Sequence, residues 1–141
     1  MLGAGLATAG LGAMGCGNNA ANDTGPTGAV GAGNVSALQV GEIKPISGQP
    51  AVIARDATGV YAMTSLCTHQ RCDMIGNGSV GSNGLYCSCH GSRFDANGNV
   101  LQGPASTPLE HWRVEIAADG SITVHLGDRV DASTRVPVAM G

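Results

Sequence analysis

The chain has 141 residues, seven basic against ten acidic side chains, and a formal net charge of −3. The basic residues are scattered and nowhere form a patch, which excludes nucleic acid as a partner. Aromatic residues are limited to Tyr61, Tyr86, Phe94 and Trp112, so a domain this small gains from cross-links beyond apolar burial.

In chain order, residues 1–16 read as a signal-like or lipoprotein leader. Met1 to Met14 is uncharged and rich in Gly, Ala and Leu, like a signal-peptide h-region, and is too short for a transmembrane helix. The basic stretch that ordinarily precedes an h-region is absent. That leaves two readings, a leader whose basic start lies upstream of Met1 or a Gly/Ala spacer. Ala13-Met14-Gly15-Cys16 resembles a bacterial lipobox, with Cys16 as the candidate lipidation site and attachment to a membrane through lipid as the consequence. Residues 17–34 are a Gly/Asn/Thr/Ala run whose only charge is Asp23. Nothing there can build a core, and the expectation is a flexible linker.

From Val35 the chain becomes a succession of short β signals. Leu38-Gln39-Val40 opens it, and Glu42 to Ile46 follows, limited by Pro45 to an edge or a strand end. Ala51 to Asp56 and Val60 to Met63 flank Ala57-Thr58-Gly59 as a hairpin. Gly76 to Gly84 reads as a glycine-rich turn region before the strand Leu85-Tyr86. Arg93-Phe94-Asp95 and Val100-Leu101 enclose a second hairpin turn, Ala96 to Asn99. His111 to Ile116 and Ser121 to Leu126 alternate around Asp119-Gly120. No segment carries a helical period. The fold class is all-β: a domain over 35–127 of small antiparallel sheets, with a tail over 128–141 in which Val136-Pro137-Val138 lies on the surface.

Two segments carry chemistry. Cys67-Thr68-His69 and Cys87-Ser88-Cys89-His90 each pair a thiol with an imidazole, and Cys72 and Cys89 are spare. A [2Fe-2S] cluster with one iron on two thiolates and the other on two imidazoles needs that inventory. A structural zinc site ordinarily uses C-x-x-C and H-x(3–5)-H pairs instead, and would leave the spare cysteines unexplained. Two plain disulfides would explain no histidine, and a catalytic Cys–His pair would need only one set. His111 and His125 lie in strand-like segments and read as structural, as do Met63 and Met74.

The C-x-H and C-x-x-H pattern resembles the Rieske family. The resemblance runs over roughly Val35 to Leu126 and includes Gly91-Ser92-Arg93-Phe94-Asp95 and a proline loop, Gly103-Pro104-Ala105 with Pro108-Leu109. It implies a Rieske fold with both cluster loops at one tip, Cys67 and Cys87 on one iron, and His69 and His90 on the other. In the family's disulfide-containing branch Cys72 would pair with Cys89, a bond suited to an oxidising compartment. Those assignments consume four of five cysteines and leave Cys16 odd. By the same resemblance Ser92 donates to a bridging sulfide. Phe94 stands where high-potential members carry a donating Tyr, which implies a less oxidising centre. Gln70-Arg71 stands where quinol oxidases usually have Leu-Gly, and Ser88 where many have Pro.

The implied function is an exported one-electron carrier at the periplasmic face of a bacterial membrane. It would be a subunit or partner of a quinol:cytochrome c oxidoreductase-type chain, with cytochrome b/c or an oxidoreductase large subunit as redox partners and quinol as a further candidate. The alternatives are the small subunit of a periplasmic oxidoreductase resembling arsenite oxidase, or a Rieske ferredoxin of an oxygenase system. No substrate pocket is legible, so an electron-transfer role is expected rather than stand-alone catalysis.

Overall fold

The computed structural model describes residues 27–138, so the leader, Cys16 and the first part of the linker lie outside it. The chain passes through β1 (Gly28–Asn34), a 3-10 turn (Val35–Ala37), β2 (Ile43–Pro45), β3 (Ala51–Asp56) and β4 (Gly59–Thr64). It continues through β5 (Gly78–Gly81), β6 (Gly84–Cys87), β7 (Arg93–Phe94), β8 (Val100–Gln102), β9 (His111–Ile116) and β10 (Ser121–Val130). These strands form a six-stranded sheet in the order β1-β10-β9-β4-β3-β2 and a four-stranded sheet in the order β5-β6-β7-β8. Every strand pairing is antiparallel, and the fold is all-β. Among the described residues no helix is long and apolar enough to cross a membrane.

The hairpin of β3 and β4 is the wall between two cores. Successive side chains on a strand point to opposite faces. Val52, Ala54, Tyr61 and Met63 therefore enter one core with Leu85, Phe94 and Leu109. Ala51, Ile53, Val60 and Ala62 enter the other with Trp112, Val114, Ile122 and Val124. Both faces being covered, the hairpin is apolar at nearly every position. Its turn is set by Asp56, whose Oδ1 accepts from the N–H groups of Thr58 at 2.9 Å and Gly59 at 3.2 Å. Such an Asx turn is what a short carboxylate contributes at that place.

The small sheet is an excursion from the large one. β4 pairs directly with β9, His111 opposite Met63 and Trp112 opposite Ala62, so the chain leaves and returns at neighbouring points. Phe94 and Leu109, 1% and 3% exposed, fasten the excursion to the wall; burying such a side chain contributes roughly 1.5–3 kcal/mol.

Several boundaries differ from those read in the sequence. Residues 28–34, placed in the linker, form edge strand β1 against β10, with Val30 opposite Val124. A strand paired through its main chain needs no large side chains, and Val30 and Ala32 suffice to touch the core. Leu38 to Val40 is not a strand; Leu38 is buried just after the 3-10 turn. Part of the expected turn region is β5, which pairs with β6. β10 runs to Val130, and the tail belongs to the domain. Val136 exchanges two backbone hydrogen bonds with Val60, both 2.9 Å.

Arg135 is what fixes that tail. Its Nε donates to Asp56 Oδ2 at 2.8 Å and its guanidinium to Asn97 Oδ1 at 2.7 Å. The same group lies 3.7 Å above the Tyr61 ring. Asn97 sits in the β7–β8 turn, whose backbone is also held by Tyr61 Oη–H donating to Ala96 O and by His111 Nε2–H donating to Asn97 O. A carbonyl only accepts, so that Nε2 carries the proton.

Gly84 opens β6 at φ +126°, where a Cβ would overlap the carbonyl oxygen of Phe94 and lie 3.0 Å from Asp95 Cα. Backbone, not a flexible side-chain end, is in the way. Gly84→Ala is expected to cost about 2–4 kcal/mol, from overpacking and the unfavourable φ together. Urea unfolding monitored at Trp112 checks this; an unchanged midpoint would contradict it.

Candidate metal centre

Two loops at one end of the small sheet share one backbone plan. In the first, Cys67 N–H donates to Cys72 O at 2.8 Å and Arg71 N–H returns to Cys67 O at 2.6 Å. In the second, Cys87 N–H donates to Ser92 O and Gly91 N–H returns to Cys87 O, both at 2.9 Å. Each loop is thus closed on its first cysteine, and the residue four positions later has a left-handed backbone, Arg71 at φ 61° and Gly91 at φ 90°.

The plan brings the donor groups together in two pairs, thiol beside thiol and ring beside ring. Cys67 and Cys87 are free thiols, each 1% exposed. Burial pushes the Cys87 thiol pKa above its ordinary value, and the Cys67 sulfur beside it adds to the rise. The rings of His69 and His90 meet edge to face with centroids 4.7 Å apart. His69 Nδ1 is buried without a hydrogen-bond partner. His111 Nδ1 shares that state within the turn network, so it is the company of His69, a second ring and two buried thiols, that marks a metal site. Two desolvated thiols and two adjacent imidazoles, one with an orphaned nitrogen, are a donor set that fits a mixed Cys/His [2Fe-2S] cluster. They could not serve a hard, oxygen-seeking cation.

Cross-links hold the loops together. Cys72 and Cys89 form a disulfide with Cα atoms 6.6 Å apart, and their sulfurs lie with that of Cys87 inside a 4.8 Å group. Closing a loop of this size contributes about 2–4 kcal/mol in the chain-entropy account. The proline loop ties down both sides: Thr68 Oγ1–H donates to Thr107 O at 2.6 Å, and Ala105 N–H donates to Ser92 Oγ at 3.0 Å. Gln102 Nε2 adds a bond to Gly91 O at 2.7 Å. Ser92 is fully buried, and its own O–H has no acceptor among the described residues. Phe94 packs in the core and offers no donor.

Several residues of the tip had no sequence signal. Thr68, Gln102 and the Ser65–Asp73 bond at 2.8 Å act through neighbours distant in the chain. Arg135 likewise reaches its partners only through the tail's return. His125 is a surface partner of Glu115 at 3.1 Å, and His111 is buried in the turn network. Both have hydrogen-bonded surroundings of the kind expected from their place in strands.

Comparison with known proteins agrees with this geometry. The iron–sulfur subunit of the cytochrome b6-f complex of Synechococcus sp. (strain WH7803) is 41% identical over 64 residues, 45% of this chain and 35% of that protein. That of a Prochlorococcus marinus strain is 35% identical over 80 residues, 55% and 44% of the two chains. The match thus spans under half the length of these curated relatives. Among solved structures, the plasma membrane Rieske protein of Synechocystis PCC 6803 superposes with a TM-score of 0.53 at 26% identity. It covers 67% of this chain and 97% of its own. The ferredoxin of carbazole 1,9a-dioxygenase from Nocardioides aromaticivorans IC177 has a TM-score of 0.50 at 23% identity over 71% and 99% of the chains, which bears on the fold alone. The sequence profile of the Rieske [2Fe-2S] domain matches residues 29–113, which contain both loops, the disulfide and the proline loop. With that match over most of the chain and the donor set in place, this protein belongs to the Rieske [2Fe-2S] domain family.

Proposed function

We propose that this Rieske electron-carrier domain works outside the cytoplasm, in a quinol:cytochrome c oxidoreductase-type chain, passing single electrons between membrane-bound and soluble redox partners. Cys67 and Cys87 hold one iron, and His69 and His90 the other. The observation that carries this reading is the pairing of two buried thiols with two touching imidazoles on disulfide-linked loops. A bound cluster of this kind supplies a one-electron store whose formal charge passes from about zero to about −1 on reduction, easier than for an all-cysteine centre.

The chain's residues set the rest. His90 is exposed and His69 partly so, so the two rings that would hold the second iron lie at the surface, where a redox partner can approach. The cysteine disulfide supports an oxidising compartment. The cytochrome b6-f relatives favour a membrane-linked chain over an oxygenase system. Cys16 is the lipid attachment point in this reading.

Electron paramagnetic resonance of the reduced protein, with iron and sulfide analysis, tests the cofactor assignment. The low average g-value of a mixed Cys/His cluster is expected, and zinc in native-host protein would refute it. Mass spectrometry of membrane-extracted protein is expected to find lipid-modified Cys16 as the first residue. An unmodified Cys16 preceded by Met1 to Gly15 would refute the anchor.

Tuning follows from the buried hydroxyl. In this reading the Ser92 hydroxyl donates to a cluster sulfur, so Ser92→Ala is expected to lower the midpoint potential by removing a donor, and Phe94→Tyr to raise it by adding one. A charge-assisted bond is worth about 1.5–3 kcal/mol, and only part of that differs between oxidation states. With 1.4 kcal/mol equal to about 59 mV for one electron, shifts of several tens of millivolts are expected in voltammetry. Unchanged potentials would mean neither side chain reaches a sulfur.

A further inference from the structure

The common plan of the two tip loops exposes one departure. Both loops require a left-handed residue four positions after the cysteine. The second meets that need with Gly91, the first with Arg71 at φ 61°. An L side chain there carries a steric cost that glycine avoids, so the position is occupied for the sake of the side chain. Arg71 is exposed and, among the described residues, bonds to no carboxylate. It lines a cleft of about 290 Å³ together with His69, Thr107 and Glu110.

A second unpaired cation, Arg93, opens β7 just beyond the second loop. It is exposed, three residues beyond His90, with its guanidinium 4.4 Å above the Tyr86 ring and no carboxylate partner among the described residues. Elsewhere Lys44, Arg113, Arg129 and Arg135 are all paired with carboxylates. Arg55 is taken up by the carbonyls of Val35 and Leu38. The segments 67–71, 87–93 and 103–108 contain no acidic residue. Of the nearest carboxylates in sequence, Glu110 is paired with Arg129 at 2.8 Å, while Asp73 accepts from Ser65 and the Ile75 N–H and keeps its charge, one unpaired carboxylate against two unpaired guanidinium groups. A chain of net charge −3 thus keeps its two unpaired guanidinium groups beside the cysteine–histidine loops.

We infer that this tip docks a redox partner bearing carboxylates around its own centre, with Arg71 and Arg93 as the steering charges. The inference rests on the electron-carrier reading above. Local charge at a contact site governs encounter rate and its salt dependence, even against the sign of the whole molecule.

The test uses the full cluster-loaded chain, reduced and then oxidised in a stopped-flow instrument by hexacyanoferrate(III) or by tris(phenanthroline)cobalt(III). One electron passes to the oxidant in each case, giving hexacyanoferrate(II) or the cobalt(II) complex. If the tip governs, the anionic oxidant slows several-fold as ionic strength rises from about 10 to 300 mM, and the cationic one speeds up. Arg71→Gly combined with Arg93→Ser flattens both trends while leaving the absorption and paramagnetic spectra intact. A hexacyanoferrate rate that rises with salt, or an unaltered salt dependence in the double variant, overturns the inference. Fluorescence anisotropy of labelled deca-glutamate gives a readout that needs no electron transfer. Wild type is expected to bind it at least about five-fold more tightly than the double variant, and equal binding overturns the docking chemistry. A chain lacking the cluster spectrum would instead refute the carrier reading.

Discussion

Cys87→Ser protein matured in its native host is expected to contain neither the iron nor the paramagnetic signal of the wild type. The Cys87 thiol is buried, and burial with Cys67 alongside holds it protonated in the metal-free chain. In the proposed ligand set, metal binding would have to remove that proton, and iron would neutralise the resulting thiolate in so dry a place. A serine hydroxyl does not ionise at neutral pH and is a hard ligand where a soft one is needed. Cys72 and Cys89 have sulfurs in the same 4.8 Å group but are committed to their disulfide, so neither substitutes. Ser92→Ala is the control, expected to keep the cluster with an altered potential. A full iron complement and an unchanged signal in Cys87→Ser would remove that residue from the ligand set.

Arg135→Ala is expected to lower unfolding free energy by about 2–3 kcal/mol. It removes charge-assisted bonds to Asp56 and Asn97 and a contact with the Tyr61 ring, each a recognised source of loss. The figure is held below that for a fully buried ion pair because Asp56 is 40% exposed. The effect depends on pH with a definite sign. Burial alone would raise the Asp56 pKa, but hydrogen bonds from Arg135 and Thr58 outweigh it and bring it from 3.8 to about 2. A carboxylate depressed on folding stabilises fully above its unfolded value and loses that contribution as the pH falls from about 3.8 to about 2. The wild type is therefore expected to weaken across that window, and Arg135→Ala to weaken less steeply there. Burial also lowers the pKa of His111, so its contribution is lost on acidification below the ordinary imidazole value. Denaturant midpoints from pH 7 to pH 2 measure both trends, and parallel curves for the two proteins would contradict the pairing. Faster amide exchange at Gly98 and Leu109, whose N–H groups bond to Asp95 O and Gly98 O, is expected in the variant.

The residue pattern alone carried the chemistry of the tip. Cys67, His69, Cys87 and His90 announce themselves because few sites use thiols and imidazoles at such short spacings, and each pair lies within a single loop. The hairpin of β3 and β4 was equally legible, since a short apolar run, a turn and a second run reflect contacts between sequence neighbours. Sequence spacing lost its hold where partners are distant. Residues 28–34 look like a linker because glycine and alanine advertise no burial, yet main-chain pairing with β10 needs none. The tail reads as surface because nothing in Arg135 reveals that Asp56, Asn97 and Tyr61 will converge on it. The sequence by itself determined which thiols and imidazoles the two loops offer and that short strands would carry them. Only the tertiary structure decided that the two loops share one backbone plan, which residues clamp them, and which arginines remain unpaired. Those depend on long-range closure, where the entropy of bringing ends together is repaid by contacts that no local pattern encodes.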